Sequence, residues 1–206
     1  MGNLTDADLS ERAPSKDLKL VAADLSAAFY DYSLCHWLFE SESNYDDTCA
    51  RLFEALVRNI GNRFGDVYRL PSGGGAAIWI RSEKLHDISL KDNFVVLCRT
   101  TMLGKFKTIS RLLSTHNAMK MHHPQHPPHC YLYLIGVRPD LQRHGLGSRL
   151  LSSTLRKVDA LSRGAFLETS NQANIQFYER FGFRTTGQYY ILKGSPPTWT
   201  MWRSPQ

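Results

Sequence analysis

From Leu18 onward the apolar residues Val21, Ala22, Leu25, Ala28, Phe29 and Tyr32 recur at steps of three and four, and Cys49, Leu52, Phe53, Leu56 and Ile60 repeat the pattern. Two amphipathic helices follow, the second with Gly61 close behind it as a stop. The period then changes. "DVYRLPSGGGAAIWIR" reads as two short strands joined by a Pro-Ser-Gly-Gly-Gly turn, because glycine takes positive φ without strain; an antiparallel hairpin is expected. Phe106, Ile109, Leu112 and Leu113 restore helical spacing up to about Met121. Prolines at 124, 127 and 128 make "HHPQHPPH" irregular.

"CYLYLIGV" (130–137) is an almost unbroken apolar run of β-branched and aromatic residues, the pattern of a strand buried on both faces at the centre of a sheet. Helical periodicity resumes at Leu146, Leu150, Leu151, Leu155, Val158 and Leu161 and stops at Gly164, before a second buried strand, "AFLETS" (165–170). A strand, helix and strand in that order predict parallel neighbours with a right-handed connection. Ser170 or Asn171 is placed to cap a last helix carrying Ile175, Tyr178 and Phe181, closed by Gly182, and strands follow near 184–192 and 198–203. The expected fold class is α/β (α+β): a mixed central sheet, splayed between two parallel strands and flanked by helices.

Composition narrows the picture. A chain of 206 residues, 42% hydrophobic and 21% charged, can bury one substantial core, so 1–206 reads as a single domain with 1–16 a flexible N-terminus. Cys35, Cys49, Cys98 and Cys130 form no CxxC pair and follow no secretory leader, which points to free thiols and a cytoplasmic location. No apolar run approaches the roughly 20 residues of a membrane span, and "MGNLTD" has Asp6 where a myristoylation signal needs Ser or Thr, so no membrane partner is expected. The net charge of +6 is scattered along the chain rather than massed in one tract. That suits a small polyanionic cofactor better than nucleic acid.

The glycines of "RPDLQRHGLGSRLL" (138–151) raise the question of which phosphates they hold. A dinucleotide fingerprint needs a third glycine where Leu150 stands; it also needs the first glycine directly after the strand, whereas seven residues intervene here. Glu168 does fall near the distance of a ribose contact, but the helical N-terminal half lacks the opening βαβ unit. No Gly-Lys-Ser/Thr tripeptide occurs, which removes the Walker loop. Two readings remain. The loop is either a plain packing turn or a set of backbone N–H groups, from Gln142 through Arg143, His144, Gly145, Leu146 and Gly147 to Ser148, converging on a pyrophosphate at a helix N-terminus.

"GVRPDLQRHGLG" resembles motif A of the GCN5-related N-acetyltransferase (GNAT) superfamily, with Val137, Pro139, Gln142, Gly145 and Gly147 matching, and "NIQFYERFGF" (174–183) resembles its motif B. With "LETS" and "TWTMWR", the pattern over 130–203 is most similar to puromycin N-acetyltransferase-like members. The resemblance implies an enzyme that moves acetyl from acetyl-CoA to a primary amine, with the cofactor lying where the parallel strands splay. Backbone groups of Ile135, Gly136 and Val137 would pair with the pantetheine arm, Asn174 would bond that arm or a phosphate, and Arg143 would face a phosphate. Tyr178 matches the proton donor to the leaving thiolate, although its ring also fits a core stripe with Ile175 and Phe181.

The general base departs from the family pattern, since "CYLYLIGV" holds no Glu. Glu168 on the next strand is the best placed carboxylate, because burial without a charge partner raises its pKa toward that of a useful base; pairing with an Arg or a backbone N–H is its plainer role. Tyr131, Tyr133 and His129 are alternatives through water, and the amine could also arrive neutral. His122, His123, His126 and His129 with Cys130 raise a metal site, but the prolines and the lack of a second Cys/His pair argue for no metal. Trp37, Phe39, Trp79 and Trp199 are either core or walls of an acceptor pocket. Two other classes stay open: a non-catalytic acyl-CoA-binding protein, and an acetyltransferase of peptide amines. Nothing in the pattern names the acceptor or an oligomeric state.

Overall fold

The computed structural model describes residues 10–40, 42–101 and 105–206. The expectation for 1–16 therefore falls, for residues 1–9, outside the described residues. Seven strands form one sheet in the order β1-β2-β3-β4-β5-β7-β6: β1 (Glu11–Arg12), β2 (Gly65–Arg69), β3 (Gly75–Arg81), β4 (His129–Val137), β5 (Gly164–Thr169), β6 (Arg184–Tyr190) and β7 (Pro197–Arg203). The β2–β3 hairpin is antiparallel as expected, turning through Gly73 and Gly74 at φ of 75° and 80°. β4 and β5 are parallel neighbours, β5–β7 and β7–β6 are antiparallel, and the sheet is mixed.

One face of the sheet carries the N-terminal helices. Leu18, Val21, Ala22 and Leu25 of α1 (Leu18–Ala28), Leu34, Cys35, Trp37, Leu38 and Phe39 of α2 (Ser33–Phe39) and Cys49, Leu52 and Phe53 of α3 (Tyr45–Ala55) bury Ala76, Ile78 and Ile80. The sequence pattern joins α1 to Tyr32 in a single helix; the chain instead ends α1 at Ala28 and starts α2 after Tyr32. The break frees Tyr32 to aim its hydroxyl at Ser170 N–H and at Thr169 Oγ1, 3.2 Å away. Nor does Gly61 stop the second helix. α3 widens into a π-helical turn over Leu56–Gly61 and continues as the short α4 (Asn62–Phe64). A Cβ at Gly61 would lie 2.9 Å from Ile78 Cδ1, so that glycine serves close packing on β3. Two further helices, α5 (Ser82–Leu85) and α6 (Leu90–Thr101), were not read from the pattern; α7 (Phe106–His122) closes the 106–121 helix as expected.

The other face carries α8 (Leu146–Asp159) and α9 (Ala173–Glu179). Leu150, Leu151, Leu155 and Val158 of α8 pack on Ala77, Trp79, Cys130, Leu132, Ala165, Leu167 and Met201. Leu151 is fully enclosed, so its truncation to Ala costs about 2–5 kcal/mol. No described helix is long and apolar enough to cross a membrane.

β4 pairs with β3 from Cys130↔Arg81 to Val137↔Gly75, with a shift of register that leaves Tyr133 without a partner on β3, but with β5 only from His129↔Gly164 to Leu132↔Leu167. Beyond Leu132 the two parallel strands part. This corrects the reading of 130–137 as buried on both faces: His129–Leu132 is buried, whereas Tyr133–Gly136 is half-buried because the strand has lost a neighbour.

Candidate active site

The loop between β4 and α8 is built on the β2–β3 turn. Asp24 of α1, 4% exposed, accepts a 2.8 Å hydrogen bond from Gly74 N–H, and Gly74 O accepts one of 2.8 Å from Arg138 N–H. A 3₁₀ turn, Pro139–Leu141, follows. Gln142 is spent on this scaffold: its side-chain amide donates to Val137 O at 2.9 Å and its N–H to Pro139 O at 3.3 Å. The expectation that its N–H joins the converging set is thereby corrected. Arg143 and Gly145 then adopt left-handed φ of 65° and 76°. Nothing lies within 4 Å of where a Gly145 Cβ would stand, so backbone conformation and open access, not packing, call for glycine there.

Arg149 N–H, bonded to Gly145 O at 3.0 Å, makes the first helical hydrogen bond of α8. The N–H groups of Leu146, Gly147 and Ser148 thus precede any intrahelical acceptor and stand at the positive end of a fourteen-residue helix. A Cβ on Gly147 would meet Phe177 and Val137 at an ordinary 3.9 Å, so small size there is not a packing demand. The side chains of Arg143 and His144 are exposed. Such an arrangement can receive an anion such as a polyphosphate.

Above the cradle lies the split. Ile135 is half-buried against the α8 cluster, and Val137 closes the β3 ladder opposite Gly75. Gly136 has a packing reason of its own, because a Cβ there would come 2.6 Å from Ala28 Cβ: α1 is pressed onto the strand at that point. At the end of β5, Ser33 Oγ donates to Ser170 O at 3.0 Å and, with Tyr32, pins the strand's carboxyl end. Asn171 caps α9 by accepting Ala173 N–H on its side chain at 3.0 Å and Asn174 N–H on its carbonyl at 3.0 Å. Asn174 itself is half-buried in the first turn. Tyr178, one turn on, is 7% exposed, with its ring against Phe177 and Phe183. Burial pushes its phenol well above the ordinary value, and Tyr32 nearby pushes it further.

Glu168 is the first β5 residue past the last position paired with β4. Alternation turns its side chain away from α8, to the face where Phe166 lies. There it is bracketed: Tyr131 OH donates to Oε2 at 2.9 Å and Tyr189 OH to Oε1 at 2.7 Å. Burial raises its carboxyl to about 7 against the opposing pull of the Tyr189 and Tyr131 hydrogen bonds. Among the described residues no arginine pairs with it; its hydrogen-bond partners are the two tyrosines. Tyr189 had no sequence signal beyond its place in an aromatic strand, because its partner lies 21 residues away.

The histidine segment is tied internally. His129 N–H donates to Ser82 Oγ at 3.0 Å, its Nδ1 lies 2.8 Å from Pro127 O, and its Nε2 lies 2.9 Å from His123 Nε2. Burial, with His129 and His86 as neighbours, lowers His123 to about 4. Both nitrogens of His129 are occupied away from Glu168, so it drops out as a relay; Tyr131 stays in contact with the carboxylate. Among the described residues no group of three His, Cys, Asp or Glu could hold a metal ion. Of the two readings of the aromatic candidates, the core reading is the one the structure bears out for three of them. Trp37, Phe39 and Trp79 are buried in the two cores and Trp199 is half-buried on β7. A cleft of about 430 Å³ next to Glu168 is walled instead by His122, Phe166, Tyr189 and Trp202.

Residues 111–183 match the model of the Acetyltransferase (GNAT) family. Among solved structures, the chain is similar to an acetyltransferase from Corynebacterium glutamicum described as histone acetyltransferase HPA2 and related, at 20% identity over 96% of both chains with a TM-score of 0.64. It is similar to a polyamine N-acetyltransferase from Drosophila melanogaster at 13% identity, over 95% of this chain and 99% of that one, with a TM-score of 0.66. A ribosomal-protein alanine N-acetyltransferase from Escherichia coli aligns at 18% identity over 94% and 91%, with a TM-score of 0.51. At these identities the likeness is one of fold. The family match covers residues 111–183, about a third of the chain, and over the rest the likeness is one of fold.

Proposed function

We propose that the protein transfers the acetyl group of acetyl-CoA to a primary amine of a small molecule by direct attack on the thioester. The observation that carries this reading is the split itself: an anion cradle and Tyr178 on one side of parted parallel strands, and a buried carboxylate on the other. The pyrophosphate fits the N–H groups of Gly145 to Ser148, and the pantetheine arm fits the β4 edge over Ile135, Gly136 and Val137, where β5 has left. Asn174, in the first turn of α9, is assigned to the same arm and the exposed Arg143 to a phosphate.

Acetyl-CoA supplies the activated carbonyl. The amine nitrogen bonds to that carbon, the carbon–sulfur bond breaks, and the electron pair leaves on sulfur. Glu168, as carboxylate, takes the proton that the amine must lose, and Tyr131 and Tyr189 hold it in place. Tyr178, whose raised pKa keeps it protonated, gives a proton to the departing thiolate. A strand N–H of the unpaired β4 edge stabilises the oxyanion.

The small-molecule acceptor is supported by the likeness of "LETS" and "TWTMWR" to puromycin N-acetyltransferase-like members, and by neighbours of this fold named for polyamine, agmatine and arylalkylamine acetylation. We place the activity in the cytoplasm, in keeping with four free cysteines, three of them buried. The test is thiol release from acetyl-CoA with a panel of small amines and a peptide amine. Turnover with a small amine that drops in Tyr178→Phe is the expected result. Acetyl-CoA binding without thiol release from any amine would make the protein a binder, and release with the peptide alone would move the acceptor class.

A further inference from the structure

The cleft on the Glu168 face is enclosed by the 122–127 segment on one side and by β5, β7 and β6 on the other. Its volume of about 430 Å³ falls in the range of small-ligand sites. The walls are aromatic: the rings of Phe166, Tyr189 and Trp202, with the exposed ring of His122 lying on Tyr189 at 3.9 Å and 8° as a lip. Thr186 and Thr200, hydroxyl to hydroxyl at 2.9 Å, supply polar atoms. Among the described residues lining it there is no Asp, Glu, Lys or Arg.

Two contacts lead from this cleft to the chemistry. Thr200, in its floor, is the register partner of Glu168, and partners opposite one another across an antiparallel pair present their side chains on the same face. Tyr189, in its wall, donates to Glu168. Glu168 does not itself line the cleft: it lies behind Tyr189, whose hydroxyl links the cleft wall to the carboxylate. A flexible polycation would need several carboxylates and would meet a chain of net charge +6. A flat ring would meet ring faces, and a single amine would lie beside Tyr189, with the single acid Glu168 behind it.

We propose that this cleft is the acceptor site and that it takes an aromatic monoamine, an aryl ring on a short alkyl chain ending in a primary amine, with the ring between Trp202, Phe166 and the His122–Tyr189 stack and the amine directed at Glu168. What the bound amine does rests on the acetyl-transfer reading; where it binds does not.

The experiment compares 2-phenylethylamine with spermidine, reading thiol release and, separately, calorimetric binding in the presence of CoA. Two variants are compared with the wild type: Thr186→Trp, which fills the cleft from an exposed position on the edge strand β6 whose hydroxyl lies 2.9 Å from Thr200 Oγ1, and His122→Ala, which removes the lip. The expected result is kcat/KM for 2-phenylethylamine at least about tenfold above that for spermidine, with its KM and Kd raised about tenfold or more in Thr186→Trp and severalfold in His122→Ala while the KM for acetyl-CoA stays put. Preference for spermidine, or a 2-phenylethylamine Kd unmoved by Thr186→Trp, overturns the proposal even where amines are acetylated. Binding that Thr186→Trp abolishes, without thiol release from any amine, sustains the cleft assignment and removes acetyl transfer.

Discussion

The two faces of the sheet at the split do different work with different groups. On the α8 face the anion cradle is made of backbone: N–H groups at a helix start, a left-handed pair at Arg143 and Gly145, and a turn held from beneath by Asp24 through Gly74. On the α1–α3 face the polar centre is made of side chains from four elements, Tyr131 on β4, Glu168 on β5, Tyr189 on β6 and His122 at the end of α7. Backbone cradles tolerate changes of side chain and suit a ligand that never varies. A side-chain cluster is rebuilt by single substitutions and suits a ligand that differs from protein to protein. Under the proposed acetyl transfer, the α8 face is thus the side of a fixed donor and the α1–α3 face that of a chain-specific acceptor.

The sharpest way to break that division is Glu168→Gln. We expect kcat to fall about 100-fold or more with the acetyl-CoA KM unchanged. The wild-type rate should climb through about pH 7 as the carboxylate forms, and the variant profile should be flat there. Stability carries the opposite sign. A carboxyl raised to about 7 binds its proton more tightly folded than unfolded, so its contribution is full below the ordinary carboxylate pKa and lost as pH rises through about 7. Thermal melts of Glu168→Gln should therefore exceed wild type above about pH 8 and converge with it near about pH 5.

Smaller effects probe the other face. Tyr178→Phe is expected to lower kcat by about tenfold to 100-fold with acetyl-CoA affinity kept, because the ring remains to fill the core beside Phe177 and Phe183. Gly145→Val, which forces a β-branched residue to positive φ without any steric contact, should raise the acetyl-CoA KM about tenfold and leave the amine KM alone. Asp24→Ala leaves Gly74 N–H without its acceptor, for about 1–3 kcal/mol in denaturant melts, and should raise the acetyl-CoA KM severalfold by loosening the turn under Arg138. If Asp24→Ala moved the amine KM instead, the two faces would not be independent.

Legibility in the sequence followed the same division. The cradle was readable because its residues are contiguous and its needs are local: an apolar strand, glycine at a positive φ, a helical stripe after it. Even there Gln142 misled, since a side-chain bond to Val137 O cannot be told by pattern from a ligand contact. Glu168 was found because a carboxylate in an apolar strand stands out; its partners Tyr131 and Tyr189 were not assigned to it, being 37 and 21 residues away. The helix ends at Ala28 and Phe64 escaped because tertiary contacts set them, Tyr32 reaching Ser170 and Ile78 filling the space at Gly61. The cleft's aromatic walls come from α7, β5, β6 and β7, and no spacing rule joins those elements.

The most direct test of the central claim is a crystal structure with a non-reactive acetyl-CoA analogue. Expected are the pyrophosphate on the N–H groups of Gly145 to Ser148, the arm along the β4 edge over Ile135 to Val137, the sulfur within hydrogen-bond reach of Tyr178 OH, and the acyl carbon emerging on the side of Glu168. An arm that stays wholly on the α8 face, or an acyl group turned away from Glu168 and the aromatic cleft, would contradict it.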